Sequence, residues 1–200
     1  MTGLWAVDRC VTAVWNCSEA HLVTSFMNLV SRPNRRHAAL VLVLSGIILL
    51  MACGGSGQKA RDFEVVQFDS ETFRLSEVIK SHAVVLNFWY PSCPPCREEM
   101  PAIEAAWQEL QDEPVRILGL YVPQGFDTEQ DARDFIEELG LTFDFATDRL
   151  ARIAEAYELE LFPKTYFINR EGEVVATHIS IVEKDEIIRQ VRALIGDPAS

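Results

Sequence analysis

The fold of this 200-residue chain is decided by residues 83–101, AVVLNFWYPSCPPCREEMP. The first eight residues are almost wholly apolar and rich in β-branched and aromatic types, which predicts a central strand covered on both faces. From residue 97 onward apolar residues recur every three or four positions, which predicts an amphipathic helix kinked at Pro101. The motif from Cys93 to Cys96 therefore stands between a buried strand and a helix.

This placement predicts different chemical roles for the two cysteines. A helix N-terminus presents free N–H groups and the positive end of the helix dipole, which favour a thiolate at Cys93. Cys93 is therefore predicted to attack the substrate disulfide, and Cys96 to resolve the mixed disulfide and release a reduced product. Two other interpretations, an inert buried disulfide and half of a zinc site, fit a motif between strand and helix less well.

Residues outside this block extend the pattern of alternating strands and helices. Glycines at 140 and 172 suit a helix C-cap and a hairpin turn. The result is an α/β fold with a mixed central sheet flanked by helices. Strands are predicted at 83–90, 115–122, 164–169 and 173–177, helices at 97–111, 127–139, 148–157 and 183–195, and short extended and helical segments at 63–68 and 75–80.

The N-terminal segment carries the order of an export signal. Arg32, Arg35 and Arg36 precede the uncharged run 38–52, a basic region followed by an apolar one. This run is shorter than the ~20 residues that a membrane-spanning helix needs, so a permanent transmembrane anchor is the weaker interpretation. The two adjacent arginines alternatively mark twin-arginine export, which the following residues fit poorly.

The end of the apolar run predicts a lipid anchor. Residues 50–53, LMAC, resemble the lipobox of bacterial lipoproteins, so we expect Cys53 to be lipidated. This divides the chain into a signal peptide at 27–52, a flexible tether at 53–62 and a domain at 63–200. Residues 1–26 fit no part of this scheme and indicate a true start at Met27, in which case Cys10 and Cys17 carry no function.

Charge and cysteine distribution exclude several classes of function. From residue 53 onward the chain has 14 Lys and Arg against 28 Asp and Glu, which repels phosphate backbones and argues against nucleic acid as a partner. Only two of the cysteines lie within the domain, too few for a disulfide scaffold. His82 and His178 lie in no ligand-like cluster, so we expect no metal and no cofactor.

Residues 84–101 resemble the active-site block of TlpA/ResA-like thiol:disulfide oxidoreductases, and the resemblance extends over residues 63–195. It implies a thioredoxin-like fold with a helix and strand inserted at 115–139. Ser92 replaces the tryptophan that is usual in the family. Asn87 stands where thioredoxin has a buried aspartate, and Gln124 where some relatives have a glutamate. We therefore expect no carboxylate-assisted proton transfer from these two positions.

A second stretch, LFPKTYFI at 161–168, resembles the segment that carries a cis-proline opposite the cysteines of thioredoxin-fold proteins. Pro163 is the expected cis-proline, and the backbone of Phe162 is expected to pair with an extended substrate segment. The active-site block implies three further substrate contacts beside the cysteines. These are Trp89, Pro94 and Pro95.

The residues between the cysteines predict the direction of electron flow. Pro94 and Pro95 have no N–H to donate to the Cys93 sulfur, and two glutamates follow the motif. A weakly stabilised thiolate favours the disulfide form. The reduction potential is therefore expected nearer to that of thioredoxin, about −270 mV, than to that of DsbA, about −120 mV.

The resemblance implies a protein-disulfide reductase tethered to the extracytoplasmic face of a bacterial membrane. Its expected partners are disulfide-containing exported proteins, such as apocytochrome c before haem attachment, a thiol:disulfide electron donor in the membrane, and the membrane itself through Cys53. One alternative is a redox-inert thioredoxin-fold binding or chaperone lipoprotein, which would not need both cysteines and Pro163. The other is a peroxiredoxin-like peroxidase, which would need a Pro-x-x-x-Thr-x-x-Cys motif that is absent.

Overall fold

The computed structural model describes residues 57–196. The predicted signal peptide, the two cysteines before it and the predicted lipidation site Cys53 lie outside these residues. Among the described helices, none is long and apolar enough to cross a membrane. In chain order the elements are β1 (Gln58–Lys59), β2 (Glu64–Val66), β3 (Thr72–Arg74), α1 (Leu75–Val78), β4 (Ala83–Trp89), α2 (Pro94–Leu110), β5 (Val115–Tyr121), α3 (Glu129–Leu139), β6 (Asp144–Thr147), α4 (Arg152–Ala156), β7 (Lys164–Ile168), β8 (Glu173–Ile179) and α5 (Lys184–Ile195).

The main sheet has six strands in the order β1-β8-β7-β4-β5-β6. Strand β4 lies inside it, parallel to β5 and antiparallel to β7. All seven residues of β4 are buried, as the apolar run predicts. Strands β2 and β3 form a separate antiparallel pair. The predicted mixed α/β fold is confirmed.

Alternate residues of β4 face two hydrophobic cores, one on each side of the sheet. Val85 and Trp89 belong to the core that also contains the buried side chains of α2, α3 and α5. Val84 and Leu86 belong to the other core, which contains residues of α1, α4 and the β2–β3 pair. Both faces of the sheet are therefore covered, and β4 ends at the point where α2 begins.

Three sequence predictions about the elements need correction. The predicted tether at 53–62 extends too far toward the domain, because Gln58–Lys59 pairs with β8 as an edge strand. The predicted insertion at 115–139 is shifted, because Val115–Tyr121 is an inner strand. The helix and strand that extend the sheet beyond it are α3 and Asp144–Thr147. The latter strand was not predicted from the sequence, since four residues are too few for a periodic signal.

Two helices also differ from their predictions. Helix α2 begins at Pro94 and continues as one element through Pro101, although a proline there leaves the carbonyl of Arg97 without its helical N–H partner. The predicted helix at 148–157 is divided into a 3₁₀ turn and the short α4, because Leu150 and Ala151 have φ values of 64° and 53°. The backbone cannot continue a right-handed helix through such residues.

Candidate active site

The cysteine pair lies at the start of α2, directly after the central strand. Cys93 and Cys96 form a disulfide with an S–S distance of 2.03 Å. Cys93 is the N-cap residue of α2, and its sulfur accepts a hydrogen bond from the Cys96 N–H at 3.2 Å. Cys93 is 2% exposed and Cys96 is fully buried. Of the two cysteines, Cys93 is therefore the more accessible to solvent.

The local electrostatic setting of Cys93 contains few groups that favour a thiolate. Pro94 and Pro95 occupy the first two helical positions and supply no N–H. Arg97, the nearest cation in sequence, is engaged elsewhere. Its guanidinium donates to both carboxylate oxygens of Glu138 at 3.0 and 3.2 Å. The guanidinium of Arg97 is therefore held in a half-exposed ion pair with Glu138.

A buried polar network stands one helical turn beyond the cysteines. Glu99 is fully buried, and its two carboxylate oxygens accept hydrogen bonds from Asn87 at 2.8 Å and from the Val182 backbone N–H at 3.0 Å. Asn87 also donates to the Thr165 hydroxyl at 2.9 Å. Burial raises the pKa of Glu99 to about 7, against the lowering effect of these hydrogen bonds. The site therefore contains a carboxyl group that titrates near neutral pH.

Sequence reasoning did not identify Glu99 as a buried functional group. Positions 87 and 124, where relatives carry a carboxylate, hold an asparagine and a glutamine in this chain. Glu99 was expected only to add a negative charge near Cys93. The spacing of residues along α2 could have identified Glu99 as buried, because residues 96, 99, 100 and 103 share one face of that helix. Asn87 is the one polar residue in the buried strand that this face covers.

The loop before β7 lies beside the helix start. The Phe162–Pro163 peptide bond is cis, as the resemblance implies. The Phe162 ring packs edge-on against Tyr90 with their centroids 5.0 Å apart. Within residues 57–196 the backbone N–H and C=O of Phe162 make no hydrogen bond to other backbone groups. These groups are free to pair with an extended polypeptide.

The predicted substrate contacts of the active-site block divide into accessible and inaccessible residues. Pro94 is exposed and Pro95 is half-buried, so both can contact a bound polypeptide. Trp89 is fully buried, and its ring contacts Phe135 and Phe145 at centroid distances of 4.9 and 5.8 Å. The prediction of Trp89 as a substrate contact is wrong, because residue 89 belongs to the core face of β4.

The loop between β5 and α3 is bonded to the residue that precedes Cys93. Ser92 donates from its backbone N–H and its hydroxyl to one carboxylate oxygen of Asp127, at 3.0 and 2.8 Å. The Asp127 carbonyl accepts from the Tyr121 hydroxyl at 2.8 Å. Burial raises the pKa of Tyr121 to about 12, so this hydroxyl remains a donor at neutral pH. Gln124 lies in the same loop and accepts from the Asp127 N–H.

The fold and the site together define a thioredoxin-fold protein with a cysteine pair suited to thiol–disulfide exchange. Two solved structures support the fold. The chain superposes on a thioredoxin-family thiol:disulfide interchange protein from Chlorobium tepidum with a TM-score of 0.63, at 21% identity, over 72% of this chain and 100% of that one. It superposes on StoA from Bacillus subtilis with a TM-score of 0.60, at 21% identity, over 66% of this chain and 96% of that one.

Sequence comparison identifies the family. The AhpC/TSA family matches residues 56–177. The thiol-disulfide oxidoreductase ResA of Halalkalibacterium halodurans is 31% identical over 62% of this chain and 68% of that protein. The thioredoxin-like protein YneN of Bacillus subtilis is 29% identical over 72% of this chain and 93% of that protein. The chain belongs to the AhpC/TSA family and, within it, to the ResA-like thiol-disulfide oxidoreductases.

The family predicted from residues 84–101 is thereby confirmed, and so is the prediction that the protein is an enzyme of the thiol:disulfide oxidoreductase type. Among residues 57–196 no group of three or more His, Cys, Asp or Glu side chains is arranged to hold a metal ion. Cys93 and Cys96 form the redox-active pair expected of this type of enzyme.

Proposed function

We propose that this oxidoreductase works as a reductase of disulfides in exported proteins, anchored by lipid on Cys53 to the extracytoplasmic face of a bacterial membrane. The support for export and anchoring is the sequence of residues 32–53, a basic region, an apolar run and a lipobox-like end. The support for reduction is the surroundings of the cysteine pair.

One observation carries the direction of electron flow. Within the described residues, the Cys93 sulfur receives one backbone N–H, that of Cys96, because the first two helical positions are prolines. Strong oxidants of this fold owe their high potential to a stabilised thiolate in the reduced form. Here that stabilisation is weak, since Arg97 is paired with Glu138 and a buried carboxyl, Glu99, follows one turn later. The oxidised pair is therefore favoured, which makes the dithiol a reductant.

The proposed reaction transfers two electrons from the enzyme to the substrate. The Cys93 thiolate attacks one sulfur of the substrate disulfide, forms a mixed disulfide and releases the second substrate sulfur as a thiolate, which takes up a proton. Cys96 loses its proton and attacks the Cys93 sulfur. The Cys93–Cys96 disulfide forms, and the substrate leaves as a dithiol. Glu99, with a pKa near 7, can accept and return a proton close to Cys96.

The oxidised enzyme then needs a reductant. We propose that a membrane protein with a dithiol reduces the Cys93–Cys96 disulfide by the same exchange. The family resemblance extends the substrate proposal to apocytochrome c, whose haem-attachment cysteines must be reduced before haem is added. The free backbone groups of Phe162 would hold the substrate segment extended beside the sulfurs.

The decisive test is the reduction potential of the cysteine pair. A fragment beginning at Gln58 is equilibrated with dithiothreitol or glutathione buffers, and the oxidised fraction is measured by thiol alkylation. We expect a value nearer to that of thioredoxin, about −270 mV, than to that of DsbA, about −120 mV. A value near that of DsbA would reverse the proposed direction. A pair that does not cycle would favour a redox-inert binding protein.

Anchoring is tested separately in the full chain. In a bacterial host, Cys53→Ala is expected to move the protein from the membrane fraction to the soluble fraction and to abolish incorporation of labelled fatty acid. Ser56→Ala, three residues beyond Cys53, is the matched control, which is expected to leave both properties unchanged. Unaltered membrane attachment of Cys53→Ala would contradict the lipid anchor without affecting the proposed reaction.

A further inference from the structure

The turn between β5 and α3 brings an aromatic side chain to the rim of the active site. The turn runs from Gln124 to Asp127 and is closed by the hydrogen bond from the Asp127 N–H to the Gln124 carbonyl at 3.0 Å. Gly125 has a φ of 58°, a conformation that side-chain-bearing residues rarely adopt. Phe126 stands at the tip of this turn and is completely exposed, with a relative accessibility of 102%.

Hydrogen bonds on both sides hold this turn in place. The Asp127 carboxylate accepts both Ser92 donors, and the Asp127 carbonyl accepts the Tyr121 hydroxyl. After the turn, Thr128 and Asp131 form a capping box at the start of α3. Phe126 is therefore displayed on a pre-organised backbone, so a ligand that binds its ring does not have to order the loop.

The anchor point of the turn is Ser92, the residue next to Cys93. The path from the Cys93 Cα through Ser92 and the Asp127 carboxylate to the Phe126 Cα is at most roughly 15 Å long, from covalent geometry and the measured hydrogen bond. A polypeptide whose sulfur is bonded to Cys93 is within reach of the Phe126 ring, because an extended chain spans ~3.3 Å per residue.

The loop before β7 also carries an exposed apolar side chain. Leu161 is 58% exposed and precedes Phe162 in the loop before β7. Pro94, the residue that follows Cys93, is exposed as well. Exposed aromatic and aliphatic side chains that flank a reactive group are typical contacts for apolar residues of a partner.

We propose that Phe126 is a specificity-determining residue that binds an apolar side chain next to the reactive cysteine of the substrate polypeptide, and that Asp127 positions it. The inference rests on the proposed reductase function and specifies its substrates. They are extended segments with a large aliphatic or aromatic residue beside the cysteine. Phe126 contributes binding energy and does not take part in the exchange chemistry.

The test compares three disulfides as substrates of the full-length reduced enzyme in detergent. Two are synthetic peptides that share one intramolecular disulfide and differ at the residues flanking the first cysteine, leucine in one and serine in the other. The third is bis(2-hydroxyethyl) disulfide, which is too small to reach Phe126 while it reacts at Cys93. Oxidation of the enzyme is followed under single-turnover conditions.

Phe126→Ala is expected to lower the second-order rate constant for the leucine peptide by about 5- to 20-fold, less than for a fully desolvated hot spot, because the Phe126 ring stands exposed at the edge of the site. Rates for the serine peptide and the small disulfide are expected to stay within about 2-fold. Phe126→Leu is expected to keep most of the preference. Val175→Ala is the matched control. Val175 is another exposed apolar residue, with 55% exposure, and it lies on β8. Its neighbour Val174 pairs with Ile168, away from the cysteines.

Asp127→Ala tests the positioning role. It is expected to lower the ratio of the leucine-peptide rate to the small-disulfide rate, a ratio that a general effect on the reactivity of Cys93 would leave unchanged. The inference is overturned if Phe126→Ala slows neither peptide, or slows all three substrates equally. The positioning role is overturned if Asp127→Ala keeps the full preference. A wild-type enzyme that reduces none of the three substrates would overturn the reductase function and this inference with it.

Discussion

Glu99 links the chemistry of the cysteine pair to the stability of the fold. Its carboxyl group is buried between α2 and the Val182 backbone, and burial raises its pKa from an ordinary 4.5 to about 7. Between these two values the folded protein retains a proton that the unfolded chain releases. Folding stability therefore falls as the pH rises from about 4.5 to about 7, and below that window the contribution of Glu99 is fully present and does not change with pH.

Glu99→Gln is expected to remove this pH dependence while it keeps the shape of the side chain. At pH 8 the variant is expected to be more stable than the wild type by up to about 3 kcal/mol, from ~1.4 kcal/mol per unit of pKa shift. The difference is expected to vanish near pH 4. Urea unfolding across this range measures it, and Glu98→Gln at the exposed neighbouring position is the control. A difference that does not depend on pH would contradict the raised pKa.

At the scale of elements, the packing of β5 against β6 depends on a glycine. A Cβ atom on Gly119 would lie 2.6 Å from Cε1 and 2.7 Å from Cδ1 of Phe145, and 3.1 Å from Cε2 of Phe143. The Phe145 ring in turn contacts Trp89, the last residue of the strand that leads to the cysteines. The absence of a side chain at residue 119 therefore lets two aromatic rings pack on the sheet.

Gly119→Ala is expected to destabilise the fold by about 1–3 kcal/mol, because the Phe145 ring must shift to make room for the methyl group. Denaturant unfolding of Gly119→Ala, Phe145→Leu and the double variant measures the coupling between the two positions. The double variant is expected to be more stable than the sum of the two single losses indicates. Strict additivity would show that the two side chains do not compete for the same space.

At the scale of the whole molecule, the edge strand β1 joins the N-terminal end of the described residues to the main sheet. Gln58 and Lys59 pair with Val174 and Glu173, and the Ala60 N–H donates to the Gly172 carbonyl at 2.9 Å. A lipid on Cys53 would be joined to β1 by few residues, each spanning at most ~3.6 Å. Under the proposed anchoring, the domain is held close to the bilayer surface.

A fragment that begins at Arg61, and so keeps the carbonyl that accepts from the Tyr157 hydroxyl, is expected to be less stable than one that begins at Gly57. The loss is expected to be about 1–3 kcal/mol, from a few exposed backbone hydrogen bonds of ~1 kcal/mol each. Amide exchange in β8 is expected to become faster, while reduction of a small disulfide stays unchanged. Lys59→Ala in the longer fragment removes the charge pair with Glu173 and the hydrogen bond from Lys59 Nζ to the Glu171 carbonyl but keeps the backbone pairing of β1, and it is expected to cost less than 1 kcal/mol. Equal stability of the two fragments would contradict a structural role for β1.

Much of the fold was predictable because its signals are local. The apolar run of β4, the spacing of α2 and the cysteine motif between them are contained in residues 83–110. The αL conformation of Gly140, with a φ of 62°, ends α3 where the glycine predicts it. Backbone propensity and hydrophobic period act over a few residues, so a single sequence reveals them. The cysteine pair and Pro163 were predictable because their motifs are local as well.

Only the tertiary structure decided which polar and aromatic side chains share the site. Glu99 accepts from Val182 across 83 positions, and Ser92 donates to Asp127 across 35. Trp89 faces the core and Phe126 faces solvent, although both are aromatic residues close to the site. Hydrophobic periodicity indicates which residues share one face of an element, but it does not indicate which residues pack against that face. The covering partners come from distant segments, and their hydrogen bonds and burial determine accessibility and pKa.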